Sequence, residues 1–564
     1  MAIAESKPAA AAATYPDLHD HLAALERDGF LVRVRRPINK DTELHPLVRW
    51  QFRGGIPERE RKAFLFERVV DGAGREYGMP VVVGALAASR WIYAQGLGCQ
   101  VDEINAKWRA ARANPLPPVL VEDGPVHEVV RTGAELDAPG GGLDGLPVPI
   151  STPGWDNAPY ITAGHYVTRD PESGIYNAGN YRGQLKGRRL LGMNASHELQ
   201  QGIIVHWNKA RARGEPLPCA VVVGAPPAFS YAAVQKLPYD MDEFAVAGGL
   251  AGTPLRVVKC RTVDLIVPAE AEIVIEGLID PRWLEPEGPF GESHGHVNLQ
   301  EYNHIMEVTA ITHRRDAILP SIISQVTPSE SSLIKKVALE PLFTDHLRNT
   351  LGVRSVVRVA MHEPLTNLRK LVVIQMRKPT DKEAWQALLG ATSFQLAVGK
   401  LVVAVDEDID PESTDAVLWA ICYRSRPHRD LQVIRGKDPG HSPHVGEIPG
   451  EEDEDSAMLI NATLRSAFPP VSLPRREYME RAAQIWNELD LPPLKPESPW
   501  HGYSLGQWSD EFEREAQLAL EGGWMETGAK LAERRRDDVE PNTSIWALDE
   551  GTRAKGQGTG DDPL

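Results

Sequence analysis

PLRVVKCRTVDLIVPAEAEIVIEGLIDPRWLEPEGPFGESHGH, residues 254–296, decides how the middle of this chain is built. It holds three short runs rich in β-branched residues, LRVVKC, VDLIVP and AEIVIEG, each bounded by turn residues. CAVVVGAPP from Cys219 precedes them and HIMEVTAITHR from His304 follows. Closely spaced runs read without helices between them predict a barrel or a compact antiparallel sheet. The stretch closes on PEGPFGESHGH, Pro286–His296, where three glycines and two prolines exclude a regular element and hold Glu287 and Glu292 on one tight loop.

Outward from this centre the pattern changes on both sides. Towards the N-terminus, DLHDHLAALERDG spaces Leu18, Leu22 and Leu25 as a helix does, FLVRV alternates as a strand, and PVVVGALA from Pro80 adds another. A Gly/Pro-rich segment, Ala138–Pro159, reads as a long connection. Beyond Val353, SVVRVAM, KLVVIQM, a helix over Glu383–Val398, KLVVAVDED and STDAVLWAICYRS alternate strand with helix. GEEDEDS from Gly450 reads as a solvated loop, and REYMERAAQIWNEL as an amphipathic helix. The predicted class is mixed α/β and β. It comprises an N-terminal α/β unit (14–125), a central split β-barrel-like domain (126–330), a C-terminal α/β domain (331–480) and a helical oligomerisation segment with a disordered tail (481–564).

Composition narrows the function. Lys and Arg number 61 against 78 Asp and Glu, a net charge of -17 over 564 residues, which argues against nucleic-acid or anionic-membrane partners. Four scattered cysteines, Cys99, Cys219, Cys260 and Cys422, form no CxxC pair and fit a reducing cytoplasm. No run approaches the about 18 apolar residues of a membrane span. Tyr478, Met479, Ala482, Ile485, Trp486 and Leu489 give the late helices apolar faces, so a homo-oligomer, dimer or hexamer, is expected.

Paired carboxylates on a tight loop can divide labour, one protonated as a general acid and one ionised, although two exposed glutamates on a turn would read the same. In YNAGNYRGQ, Arg182 can grip a carboxylate or phosphate through its planar fork, and Asn177 can offer an amide oxygen to a cation. His197, in NASHELQQG, is a possible imidazole ligand, and Glu243 opens the glycine-rich run EFAVAGGLAG. Asn, His and Glu together suit Mn2+ or Mg2+ better than a thiolate-loving metal.

In order and spacing, Asn177-x4-Arg182, His197, the Glu243 segment and PLRVVKC through PEGPFGESHG resemble the UbiD family of decarboxylases, from about Asp17 to about Asp430. The resemblance implies reversible, non-oxidative decarboxylation of an aromatic or α,β-unsaturated carboxylic acid. Prenylated FMN would serve as electron sink, supplied by a flavin prenyltransferase. It implies Asn177, His197 and Glu243 as metal ligands, and Arg182, Glu287 and Glu292 as the catalytic triad. Asn177, Asn180, Tyr181, Arg182, Ser196, His197 and Glu243 would surround the cofactor, and the backbone at Ile175, Ala232, Ala233 and Gln235 would hold K+. Relatives commonly carry an aromatic residue at His296 and an apolar one near Ser293, so a polar ring, a second carboxylate or a thioester-bearing acid is at least as plausible a substrate as a simple apolar acid such as a cinnamic acid. Two rival readings use the same residues: a metal-dependent hydrolase in which Glu292 activates water, and a noncatalytic flavin- or phosphate-binding module.

Overall fold

The computed structural model describes residues 14–195, 201–235, 237–239, 241–366, 369–395, 397–437, 455–489, 491–536 and 539. Two compact units divide at Thr463 and Leu464. In the first, Asp17 caps the helix Leu18–Arg27 by accepting from the Asp20 amide, and Leu18, Leu22 and Leu25 are buried as their spacing predicts. The chain then enters a sheet in the order Leu31–Val34, Ala63–Phe66, Val81–Val83, Leu319–Ser321. Its last strand returns from far along the chain to pair parallel with Val81–Val83.

The centre is a closed barrel of six strands: β1 (Tyr160–Arg169), β2 (Tyr176–Leu185), β3 (Leu190–Asn194), β4 (Leu217–Val223), β5 (Ile273–Glu287) and β6 (Glu301–His313). The order is β3-β2-β1-β4-β5-β6, and β3 pairs back onto β6, so no edge remains. Every pairing in the ring is antiparallel. Val221 and Val223 of β4 join one core with Tyr166, Leu191, Ile275 and Met306, while Ala220 and Val222 join a second core beneath the helices. Burial on both faces explains why CAVVV is unbroken in its hydrophobicity.

Two details depart from the sequence reading. Helices α1 (Gly202–Arg213), α2 (Pro227–Val234) and α3 (Glu243–Ala251) lie between β3 and β4 and between β4 and β5, so the central runs are not helix-free. LRVVKC and VDLIVP stay outside the barrel: Arg256–Lys259 and Ile266–Pro268 form a small sheet with Val119–Leu120. Local propensity cannot tell which of several β-branched runs will find barrel partners.

Helix α4 (Glu330–Asp345) leads from the barrel to a second sheet of β7 (Val356–Met361), β8 (Leu371–Met376), β9 (Leu401–Asp406), β10 (Leu431–Lys437) and β11 (Asp455–Ala462), ordered β7-β8-β9-β11-β10. Between these strands run α5 (Asp381–Phe394) and α6 (Thr414–Arg424). Helix α5 starts before the predicted Glu383 because Thr380 and Glu383 close a capping box. In the second unit, helices Arg476–Glu488, Asp510–Leu520 and Trp524–Ala532 bury no residue completely. Among the described residues no helix is long and apolar enough to cross a membrane.

Ser329 caps α4, and Glu330 beside it is 1% exposed. The Glu330 carboxylate accepts from the amides of Gly84 (3.0 Å), Leu86 (3.0 Å) and Ala87 (3.2 Å), fastening α4 to the N-terminal sheet. Burial pushes its pKa up to about 7, against the pull of those amides. Because the folded value is raised, this group's contribution to stability falls as pH rises from about 4.5 to about 7 and is level above. Glu330→Gln turns one acceptor oxygen into a donor facing an amide and should cost about 1–3 kcal/mol. Urea midpoints across that range should converge for wild type and variant as pH rises.

Candidate functional site

Register brings the catalytic candidates together. Arg182 lies at a bulge of β2, where pairing with β1 slips between Tyr181 and Gly183, and a bulge re-aims a side chain. Glu287 is the last residue of β5 and is fully buried. Arg182 Nε donates to one Glu287 oxygen at 2.8 Å and Nη2 to the other at 2.7 Å, a bidentate pair between strands that are not neighbours in the barrel. Asn194, paired with Arg182 across β2 and β3, donates to Glu287 at 3.3 Å, and Asn303 of β6 does so at 3.5 Å. Burial works against the Arg182 charge, yet the Glu287 carboxylate outweighs it and raises the guanidinium pKa.

Glu292 follows on a tight hairpin, in which its amide donates to the His296 carbonyl at 2.9 Å. One carboxylate oxygen stands 3.5 Å from Arg182 Nη1, while the other accepts from the Ser293 amide and hydroxyl at 2.8 and 3.0 Å. Phe290 carries the Arg182 guanidinium over its ring at 5.1 Å and packs on Tyr160 at 4.2 Å. His294 accepts from the His296 amide at Nδ1, so its proton sits on Nε2 and is donated to Asn298 Oδ1 at 2.9 Å.

A cavity of about 260 Å3 is lined by Asn177, Asn180, Tyr181 and Glu243, and by none of the triad. Ala233 and Gln235 of the α2 end also line it. Glu243 is the first residue of α3 and accepts from the Ala178 amide at 3.1 Å. Burial pushes its pKa up to about 8, and among the described residues it has no cationic partner. Asn177 presses against Gly202, where an added Cβ would meet the amide at 2.0 Å, and its Nδ2 is buried without a partner. Amide oxygen and nitrogen can exchange places, so two oxygen donors can face a hard cation here. The donor chemistry fits a divalent metal. Ser196 and His197 lie outside the described residues, and among those described no three His, Cys, Asp or Glu side chains gather.

Two cations that the sequence reading passed over complete the cavity. Lys335 of α4 and Arg369 before β8 both line it. Burial pushes Lys335 down to about 8, aided by Arg369 and opposed by Glu292, and burial lowers Arg369 as well. The trace of Lys335 in the sequence is the pair of lysines in SLIKKVAL, an odd insertion in an apolar helix; Arg369 leaves none.

Known proteins resemble this chain in sequence and fold. A model for the 3-octaprenyl-4-hydroxybenzoate carboxy-lyase Rift-related domain matches residues 119–326. Models for the C-terminal and N-terminal domains of the same enzyme match 333–450 and 22–111. Among solved structures, the UbiD-class enzyme HmfF from Pelotomaculum thermopropionicum in complex with FMN is 33% identical, covers 79% of this chain and 94% of its own, and superposes with a TM-score of 0.69. An evolved dimeric form of that enzyme in complex with prFMN is 32% identical, with coverages of 82% and 98% and a TM-score of 0.71. Vanillic acid decarboxylase of Sedimentibacter hydroxybenzoicus in closed form is 26% identical over 84% and 99%, with a TM-score of 0.69. With three consecutive domain matches spanning most of its length and a relative of this identity and coverage, the chain belongs to the UbiD family and is a carboxy-lyase.

Proposed function

We propose that this enzyme reversibly decarboxylates an aromatic or α,β-unsaturated carboxylic acid with prenylated FMN, held through Mn2+ or Mg2+. The observation that carries the reading is the Arg182–Glu287–Glu292 constellation, together with a cavity lined by Asn177 and Glu243 whose cations Lys335 and Arg369 feel the Glu292 charge. When bound, prenylated FMN supplies the electron sink that a carboxylate on an sp2 carbon lacks. Asn177, His197 and Glu243 hold the metal, and Asn180, Tyr181 and Ser196 border the flavin. Backbone carbonyls at Ile175, Ala232, Ala233 and Gln235 offer a place for K+. Lys335 and Arg369 provide buried positive charge for the anionic cofactor. A flavin prenyltransferase is the supplier.

The chain's own residues bind, orient and move a proton. Arg182 spends Nε and Nη2 on Glu287 and keeps Nη1 towards Glu292, so one edge of the guanidinium is left to align the substrate carboxylate. Glu287 pairs with that guanidinium through both oxygens. Glu292 gives its carboxyl proton to the carbon that loses CO2, and takes it back in the carboxylation direction. Ser293, His294 and Asn298 line the loop with polar groups and favour a polar ring, a second carboxylate or a thioester on the substrate.

Protein co-expressed with a flavin prenyltransferase should release CO2 from at least one of vanillic, 3,4-dihydroxybenzoic, furan-2-carboxylic, isophthalic and cinnamic acids. On that acid, Glu292→Gln should retain flavin and metal while multiple-turnover product formation falls about 100-fold or more. Near-normal product from Glu292→Gln would remove it as the donor. Glu287→Gln leaves Arg182 buried without its ionic partner and should cost about 3–5 kcal/mol in urea as well as activity. Glu243→Ala should give soluble protein with little bound flavin by absorbance and little Mn2+ by elemental analysis; full occupancy would sink the ligand assignment.

We also propose a homo-oligomer assembled through the second unit, whose helices leave Leu489 64%, Trp524 63% and Met525 67% exposed. Light scattering at micromolar concentration should exceed the chain mass of 62.1 kDa, and a monomer mass would contradict it.

A further inference from the structure

Glu292 hangs from Gly291, and the space where a side chain would leave Gly291 is closed. A Cβ added there would stand 2.5 Å from Gln325 Cγ and 3.1 Å from Thr152 Oγ1. Gln325 is 3% exposed and holds φ at +62°, a left-handed conformation rare for a residue with a side chain. Its side-chain oxygen accepts from Arg49 Nη2, and Arg49 Nη1 reaches the carbonyls on either side, Ser324 at 2.8 Å and Val326 at 3.4 Å. One turn earlier on the same helix, Leu44–Arg53, His45 bonds Ser321 Oγ at 2.8 Å, so one helix face secures both ends of 321–326. Around the second neighbour, Thr152, Asp156 accepts from the Thr152 amide at 2.6 Å and closes that turn, while Asn157 donates to the Gly288 carbonyl at 2.8 Å.

An uncommon backbone conformation, fixed by an arginine from another domain and pressed against the residue before a carboxylate, is more than packing requires. We propose that Gln325, locked by Arg49, is a positioning residue that sets the reach of the Glu292 carboxyl towards the reacting carbon. The inference rests on the reading of Glu292 as proton donor. Neither Gln325 nor Arg49 touches the Arg182–Glu287 pair through any hydrogen bond among the described residues, so substrate alignment is left intact when they change.

Gln325→Gly removes the wall and the acceptor while easing the backbone, Arg49→Lys removes the fork, and Gln325→Asn keeps an amide and tolerates left-handed φ. On the acid that the wild type turns over fastest, Gln325→Gly and Arg49→Lys should lower kcat about 10- to 100-fold, the scale set by small misplacement of a reacting group. KM should stay within about twofold, and Gln325→Asn should recover part of the loss. In flavin-free protein, amide hydrogen exchange over 288–298 should quicken in both damaging variants. If Gln325→Gly does not fold, Arg49→Lys and Gln325→Asn carry the test. Unchanged kcat in the folded variants, whether or not the loop exchanges faster, overturns the inference when Glu292→Gln is inactive. Normal turnover by Glu292→Gln instead overturns the donor reading itself.

Discussion

Everything at the site depends on one buried ion pair. Arg182 and Glu287 come from strands on different sides of the barrel, and each would be an uncompensated charge in a poorly solvated place without the other. Pairing them is therefore part of closing the barrel as well as part of the chemistry. Asn194 and Asn303 both donate to the Glu287 oxygen that takes Arg182 Nη2, which fastens the carboxylate further. The third guanidinium nitrogen, Nη1, is turned to Glu292 at the longer distance of 3.5 Å.

The cavity beside it has a charge balance that favours anions. Glu287 cancels Arg182, and the cations Lys335 and Arg369 share Glu292 as their named counter-charge. Glu243, separately buried and without a cationic partner among the described residues, asks for the opposite: a positive ion. An anionic group tied to a cation meets both demands in one ligand. The strength of these terms comes from exclusion of water, which magnifies charge and raises the cost of leaving it unpaired.

Much of this was legible in the sequence, and the limits have physical reasons. Short β-branched runs announced a barrel because strand periodicity is local, and the Gly/Pro stretch announced clustered carboxylates, although it is not free of regular structure: β5 runs into it as far as Glu287, and Phe290–Gly291 pairs with Val297–Asn298. Which runs would close the ring was not legible: LRVVKC and VDLIVP read like the rest and ended elsewhere. That Arg182 would meet Glu287 was not legible either, since a bulge within β2 leaves no signature beyond a glycine. Lys335, Arg369, Asn194 and Asn303 converge on the site from separate elements, and convergence in space has no counterpart in spacing. The ligand role of His197 and the contact role of Ser196 fall outside the described residues.

The strand Leu319–Ser321 that completes the N-terminal sheet has a consequence for how the protein is made. On the ribosome, Leu31–Val34, Ala63–Phe66 and Val81–Val83 emerge early, yet the Val81–Val83 side of their sheet has no partner until the whole barrel has been synthesised. Glu330, which fastens the Gly84–Ala87 backbone, arrives later still. The N-terminal region is thus a poor autonomous folder with an open strand edge throughout elongation, a surface that chaperones shield and that unwanted partners extend.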